Sequence, residues 1–175
     1  EEKVDSSRHV IAANEGGAIA LAAGYYLATS KLGLVYMQNS GLGNAVNPLT
    51  SLVDPEVYGI PMILFIGWRG EPGVKDEPQH VKKGKITPEL LRVLGIKYSI
   101  LPDNLEEVKG ILSGAIMSAI ENSAPYALLV RKGTFEEFQT SRPRTKNGGL
   151  VREDVIKSVV DALGEKDILV ATTGK

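Results

Sequence analysis

Short apolar runs with little polar alternation recur along this chain, separated by longer stretches of helical periodicity. That rhythm restricts the fold more than any other feature. The runs are Arg8–Ala13, Leu34–Gln38, Pro61–Trp68, Lys97–Leu101, Tyr126–Lys132 and Asp167–Thr173. They are rich in Val, Ile, Leu and Tyr, which suits strands buried on both faces of a parallel sheet. Helices are predicted between them at Glu15–Thr29, Asn44–Leu52, Pro88–Leu94, Leu105–Asn122 and Arg152–Leu163. Within Leu105–Asn122, the residues Val108, Ile111, Leu112, Ala115, Ile116, Ala119 and Ile120 fall at three- and four-residue spacings, the stripe of a helix lying on a sheet. The expected architecture is therefore α/β, an open and mostly parallel sheet with helices on both faces and right-handed crossovers.

Composition removes several classes of function. Twenty basic residues against 21 acidic ones leave a formal net charge of -1, which supplies no electrostatic footprint for nucleic acid or an anionic membrane. With no cysteine there is no disulfide framework, thiolate metal site or thiol nucleophile, and the reading is cytoplasmic. No window reaches the roughly 18 consecutive apolar residues of a membrane span. Histidines and carboxylates do not fall at metal-ligand spacing, so no metal ligand is assigned.

The rhythm breaks at 133–149, where Ser141-Arg142-Pro143-Arg144-Thr145-Lys146-Asn147-Gly148-Gly149 reads as a linker. Residues 1–132 are expected to form the main α/β domain, and 150–175 the opening of a second one. The chain starts on Glu1 and stops on Lys175 after an apolar run, as a piece cut at both ends would.

Three segments carry polar residues suited to chemistry. In Ala13-Asn14-Glu15-Gly16-Gly17-Ala18 a strand end is expected to run into a helix start, where ligands of open α/β sheets gather. Glu15 there either complements the helix dipole or meets a ligand. Gly16-Gly17 costs helix propensity in a way that a bound group needing close backbone approach would explain; the bland reading is close packing. In Met37-Gln38-Asn39-Ser40-Gly41-Leu42-Gly43-Asn44 the Gly-x-Gly lacks the third glycine of a dinucleotide fingerprint, with Val46 in its place, and no P-loop Gly-Lys-Ser/Thr follows. Gln38, Asn39 and Ser40 either bind a polar ligand or cap the next helix. The third segment, Trp68 to His80, opens an expected loop of about twenty residues, long for a compact domain. Its Arg69, Lys75 and His80 either collect a small dianion or pair with Glu71, Asp76 and Glu77. His9 is read as structural.

Asn14-Glu15-Gly16-Gly17-Ala18-Ile19-Ala20-Leu21-Ala22-Ala23-Gly24-Tyr25-Tyr26 resembles the pyrimidine-binding domain of thiamine diphosphate enzymes. With Met37 to Asn44, Gly67-Trp68-Arg69-Gly70 and Asp76-Glu77-Pro78-Gln79-His80, the chain resembles the phosphonopyruvate decarboxylase family, with sulfopyruvate decarboxylase as a close relative. The resemblance implies decarboxylation of a small anionic 2-keto acid, 3-phosphonopyruvate, to phosphonoacetaldehyde and CO2, using thiamine diphosphate and Mg2+. It gives Glu15 the role of hydrogen-bonding the aminopyrimidine ring, so that the ring takes the proton from the thiazolium carbon. A partly desolvated Glu15 with a raised pKa would suit that exchange.

The same resemblance implies cofactor contacts from Gln38, Asn39, Ser40 and Gly41. The phosphonate is assigned to Arg69, Lys75 and His80, and His80 is also a candidate proton shuttle. The family's diphosphate and Mg2+ site, marked by Gly-Asp-Gly, belongs to a second domain, and no Gly-Asp-Gly occurs here. The resemblance further implies a strand and helix ahead of Glu1, a fragment inactive alone, and a homo-oligomer of at least two subunits. A sulfopyruvate decarboxylase subunit and a non-catalytic subunit-interaction module are the competing readings.

Overall fold

The computed structural model describes residues 4–137 and 152–164. The chain divides into two compact units, Glu1–Phe138 and Gln139–Lys175. Most of the expected linker and the expected strand Asp167–Thr173 lie outside the described residues. In the second unit one helix is described, α5 at Arg152–Asp161, with Glu153 and Asp154 in its first turn.

The first unit is built on four parallel strands: β1 (Gly33–Gln38), β2 (Met62–Gly67), β3 (Lys97–Ile100) and β4 (Pro125–Val130), in the order β1-β2-β4-β3. Four helices accompany them: α1 (Glu15–Thr29), α2 (Leu42–Ser51), α3 (Pro78–Val93) and α4 (Leu105–Asn122). Side chains alternate across β2. Met62, Leu64 and Ile66 meet Ile19, Ala22 and Ala23 of α1, Leu42, Ala45 and Leu49 of α2 and Leu91 of α3 in one core. Ile63 faces the other way, in a second core with Ala115 and Ala119 of α4. This is why the apolar run of β2 has no polar alternation. The connection from β3 runs back across the sheet to β4, and a right-handed crossover in that direction puts α4 on the face opposite the other three.

Helices α1 and α4 have the predicted bounds. Each starts on an asparagine in extended conformation: Asn14 Oδ1 accepts from the Gly17 amide at 2.7 Å, and Asn104 Oδ1 from Glu106 and Glu107.

Two expectations are corrected. Arg8–Ala13 is not a strand: Ser6–Arg8 forms a 3-10 turn, and Val10 and Ile11 are 67% and 83% exposed. Apolar residues make a strand only where a neighbouring strand completes the ladder, and none of the four described strands pairs with this run. The third helix begins ten residues before the expected Pro88, which shortens the loop after β2 to Trp68–Glu77. Pro78 occupies the first turn, where a missing amide costs nothing, and Pro88 lies in the interior.

An interior proline deprives the carbonyl four residues back of its donor. Here that carbonyl belongs to Gly84, and the buried indole of Trp68 donates to it from Nε1 at 2.9 Å. Residue 84 also has no Cβ, and one would overlap the Gly70 carbonyl, so α3 lies directly on the backbone that follows Trp68.

The shortened loop is closed by Asp76. Its carboxylate accepts from Arg69 Nε at 2.8 Å and Nη2 at 2.5 Å, and from the amides of Gly70 and Glu77 at 2.8 Å each. His80 Nδ1 lies 3.0 Å from Asp76 Oδ1. The Arg69 guanidinium, then the His80 contact, hold the Asp76 carboxyl far below the usual carboxylate range.

Two tests follow from these contacts. Trp68→Phe, measured by chemical denaturation, is expected to cost about 1–3 kcal/mol because it strands a buried carbonyl. In a Pro88→Ala background the restored amide serves Gly84, so the loss shrinks; an equal loss in both backgrounds refutes the pairing. The second concerns pH. A depressed carboxylate pKa stabilises the fold above the unfolded-state value near 3.8, and that contribution fades as pH falls further. The stability gap between wild type and Asp76→Asn should be full at neutral pH and narrow below about pH 4. A gap independent of pH would contradict this.

Candidate functional site

Parallel strands all end at the same side, and β1 and β2 are neighbours, so the segments leaving them lie together. After β1 the chain makes a 3-10 turn at Asn39–Gly41 and enters α2 directly. The Asn39 side chain, 4% exposed, ties this turn to the exit of β2. Its Nδ2 donates to the Arg69 carbonyl at 2.8 Å and to Thr87 Oγ1 at 2.9 Å, while its Oδ1 accepts from the Arg69 amide at 3.1 Å. Ser40 Oγ donates to Gln38 Oε1 at 2.6 Å, which leaves the Gln38 amide nitrogen facing away from that bond.

Glu15, the first residue of α1, reaches this turn from a neighbouring helix. Its carboxyl sits against Gly41, where a Cβ would overlap it. Its Oε2 accepts from Asn44 Nδ2 at 2.9 Å. Gly16-Gly17 have structural roles here, in packing and capping, and not the contact with a bound group that their helix cost suggested. Pro48 inside α2 removes the amide that would bond the Asn44 carbonyl. A Cβ on residue 16 would come within 2.9 Å of that oxygen, so Gly16 lets the start of α1 close onto α2. Gly17 supplies the amide capped by Asn14.

The electrostatics of Glu15 run opposite to expectation. The Asn44 amide, then the backbone amide of Glu15 itself, lower its pKa below the ordinary value; burial opposes them and the attraction of Lys83 on α3 adds to them. The side chain is only half-buried, so desolvation is too weak to raise it. Glu15 is thus a carboxylate at neutral pH, an acceptor suited to a ring N–H.

Six of the residues singled out in the sequence gather at this end of the sheet: Glu15, Gln38, Asn39, Ser40, Gly41 and Arg69. His80 joins through Asp76. Arg69 and His80 are half-buried and engaged with one carboxylate, whereas Lys75 is exposed on the loop and pairs with none of the described carboxylates. Glu71 pairs with Arg131 at 2.8 Å. Asn44, Asp76 and Lys83 carry parts of the arrangement that the sequence patterns did not assign. Asn44 closes the glycine motif and Asp76 stands between Arg69 and His80, so both were in view without a role. Among the described residues no group of three His, Cys, Asp or Glu is placed to hold a metal ion. None of the described helices is long and apolar enough to cross a membrane.

Residues 2–90 match the family model of the thiamine pyrophosphate enzyme N-terminal TPP binding domain. The chain is 39% identical over 149 residues to a phosphonopyruvate decarboxylase of Streptomyces viridochromogenes and 38% identical over 149 residues to one of Streptomyces hygroscopicus. These matches cover 84% of the chain but 37% and 36% of those relatives, so it spans little more than a third of their length. To the sulfopyruvate decarboxylase subunit alpha of Methanococcus maripaludis it is 34% identical over 123 residues, 70% of the chain and 71% of that subunit. A parallel sheet with helices on both faces, a glutamate opening the first long helix and a family match over more than half the chain agree: the chain belongs to the thiamine pyrophosphate enzymes, through their N-terminal TPP-binding domain.

Proposed function

We propose that this chain is the pyrimidine-binding part of a cytoplasmic, thiamine diphosphate-dependent decarboxylase that converts 3-phosphonopyruvate to phosphonoacetaldehyde and CO2. The observation that carries the reading is the Glu15 carboxylate, ionised and seated on Gly41 beside the ends of β1 and β2. The fit to an aminopyrimidine rests on that seat. The missing side chain of Gly41 makes room for the carboxyl, and the oxygen not bonded to Asn44 is left to accept the N–H of a flat heteroaromatic ring.

The cofactor, when bound, supplies the sink for the electron pair released with CO2. The chain's own residues bind and orient. Glu15 accepts the hydrogen bond of a ring nitrogen and stabilises the ring tautomer that exchanges a proton. Gln38, Ser40 and the backbone of Gly41 border the ring, and Asn39 holds their turn from beneath. Arg69, with Lys75, presents N–H donors to the phosphonate. His80, oriented through Nδ1 by Asp76, has Nε2 for the substrate or for a proton. Mg2+ with the cofactor diphosphate, and an oligomer of at least two subunits, belong to the proposal on the family resemblance, and no described residue is assigned to either. The division into a pyrimidine domain at 1–132, a linker at 133–149 and the opening of a diphosphate domain at 150–175 belongs to it in the same way.

A second reading, sulfopyruvate decarboxylase, is favoured by one observation: the chain covers 71% of an α subunit of that enzyme, against 37% of the phosphonopyruvate relative. Assay of the complete protein with both keto acids separates the two. Faster release of phosphonoacetaldehyde supports the first reading, and preference for the sulfonate overturns it.

Glu15→Gln in the complete protein is expected to lower kcat by about 10²–10⁴-fold. Decarboxylation at the wild-type rate would remove Glu15 from the mechanism and leave the non-catalytic module as the better reading. Gly41→Ala should also lose most turnover while its thermal unfolding stays close to wild type, because the added methyl displaces the carboxyl and not the core. Unchanged kinetics would show that the seat has no role.

A further inference from the structure

The glutamate that opens α1 is held from outside its own helix by a residue that no motif or relative's name assigns. We propose that Asn44 is a positioning residue for Glu15, holding one carboxylate oxygen so that the other stays directed to the cofactor ring. This rests on the proposed function for its consequence and on geometry for its substance.

Asn44 is the third residue of α2, where an asparagine is a poor helix former, and the helix start at Gly41 has no side-chain cap. Among the described residues its side chain bonds Glu15 Oε2, at 2.9 Å. The donor is set on a stiff frame. The Asn44 carbonyl, left without a helical donor by Pro48, backs onto Gly16, the residue next to Glu15. Gly41, one residue before α2, supplies the seat against which the same carboxyl lies. Glu15 is therefore fixed from two sides by one short stretch, Gly41 to Asn44. Its Oε1 receives no side-chain hydrogen bond among the described residues.

An unrestrained Glu has three rotatable bonds, and freezing them before the ligand arrives removes that cost from binding and turnover. A neutral amide does this without adding charge. The charged group acting on Glu15 from another element is Lys83 on α3; α1 and α2 carry no other charged side chain. The Asn44 bond favours the ionised form, in the same direction as Lys83.

The test uses Asn44→Leu, which keeps the shape and deletes the donor, and Asn44→Ser, which shortens it in case the leucine variant folds poorly. The first readout is the titration of the Glu15 carboxyl, followed by ¹³C NMR in the chain and assigned by its disappearance in Glu15→Gln. The midpoint is expected to rise in Asn44→Leu, because the donor that favours the ionised form is gone. The second readout is turnover of the complete enzyme. The expected result is a roughly tenfold drop in kcat with KM for the keto acid nearly unchanged, and an acid limb of the pH profile that moves up with the NMR midpoint.

If Glu15→Gln abolishes turnover while both Asn44 variants keep the wild-type midpoint and kcat, the functional reading stands and this inference is overturned. If Glu15→Gln leaves turnover intact, the functional reading fails, and the midpoint alone still decides whether Asn44 holds the carboxylate. A midpoint that rises with no change in kcat overturns the positioning role.

Discussion

The arrangement at the end of the sheet depends on one buried side-chain amide. Asn39 gives both hydrogens of its Nδ2, to the Arg69 carbonyl and to Thr87 Oγ1, and takes the Arg69 amide on Oδ1. An amide buried without partners costs about 1–3 kcal/mol for each unmet group, so an asparagine here is tolerable only if all three contacts form together. When they do, they lock three elements at once: the turn after β1, the exit of β2 and the middle of α3. Gly41 is two residues beyond this point and Arg69 is at it. The seat for Glu15 and the base of the charged loop are therefore placed by the same network.

That economy explains which parts of the molecule were legible in the sequence. Strands β1, β2 and β4 and helices α1 and α4 are specified by local pattern, apolar runs without alternation or a helical stripe with an asparagine cap, and they lie where those patterns put them. Arg8–Ala13 has the same local signal and makes no strand, because a strand is completed by a neighbour and not by its own composition. The start of α3 was hidden for a different reason. Pro88 reads as a helix start because a proline inside a helix normally strands a carbonyl. The residue that rescues that carbonyl, Trp68, is sixteen positions away. No window of local sequence contains both halves of that exchange.

The site divides along the same line. Glu15 and the turn at Gln38–Gly41 were legible because their chemistry is unusual where it occurs: a carboxylate and two glycines at a helix start, a polar run between a buried strand and a helix. The seat itself was not. It is formed where Gly41 of one element meets a side chain from another, and Asn44 matters only through that meeting. The direction of the Glu15 pKa was misread for the same cause: burial is suggested by composition, but a donor across a helix interface is not.

On the proposed function, the loop after β2 has to recognise a dianion, and its charge is largely spent internally. Asp76 neutralises Arg69 and also engages His80, so little net positive charge remains there beyond the exposed Lys75. Attraction by net charge is thus a weak basis for selectivity. What the loop supplies is orientation. A guanidinium has five N–H donors, and Asp76 occupies Nε and one direction of Nη2, which fixes the plane of the group while leaving its remaining hydrogens to donate. A tetrahedral oxyanion with three equivalent oxygens can accept from such a fixed fork. A planar carboxylate fits the same fork, as Asp76 itself does, so the fixed plane sets the direction of approach and not the choice between oxyanions. On that function, the carboxylate of Asp76 would set the angle at which Arg69 meets substrate while reducing the local charge.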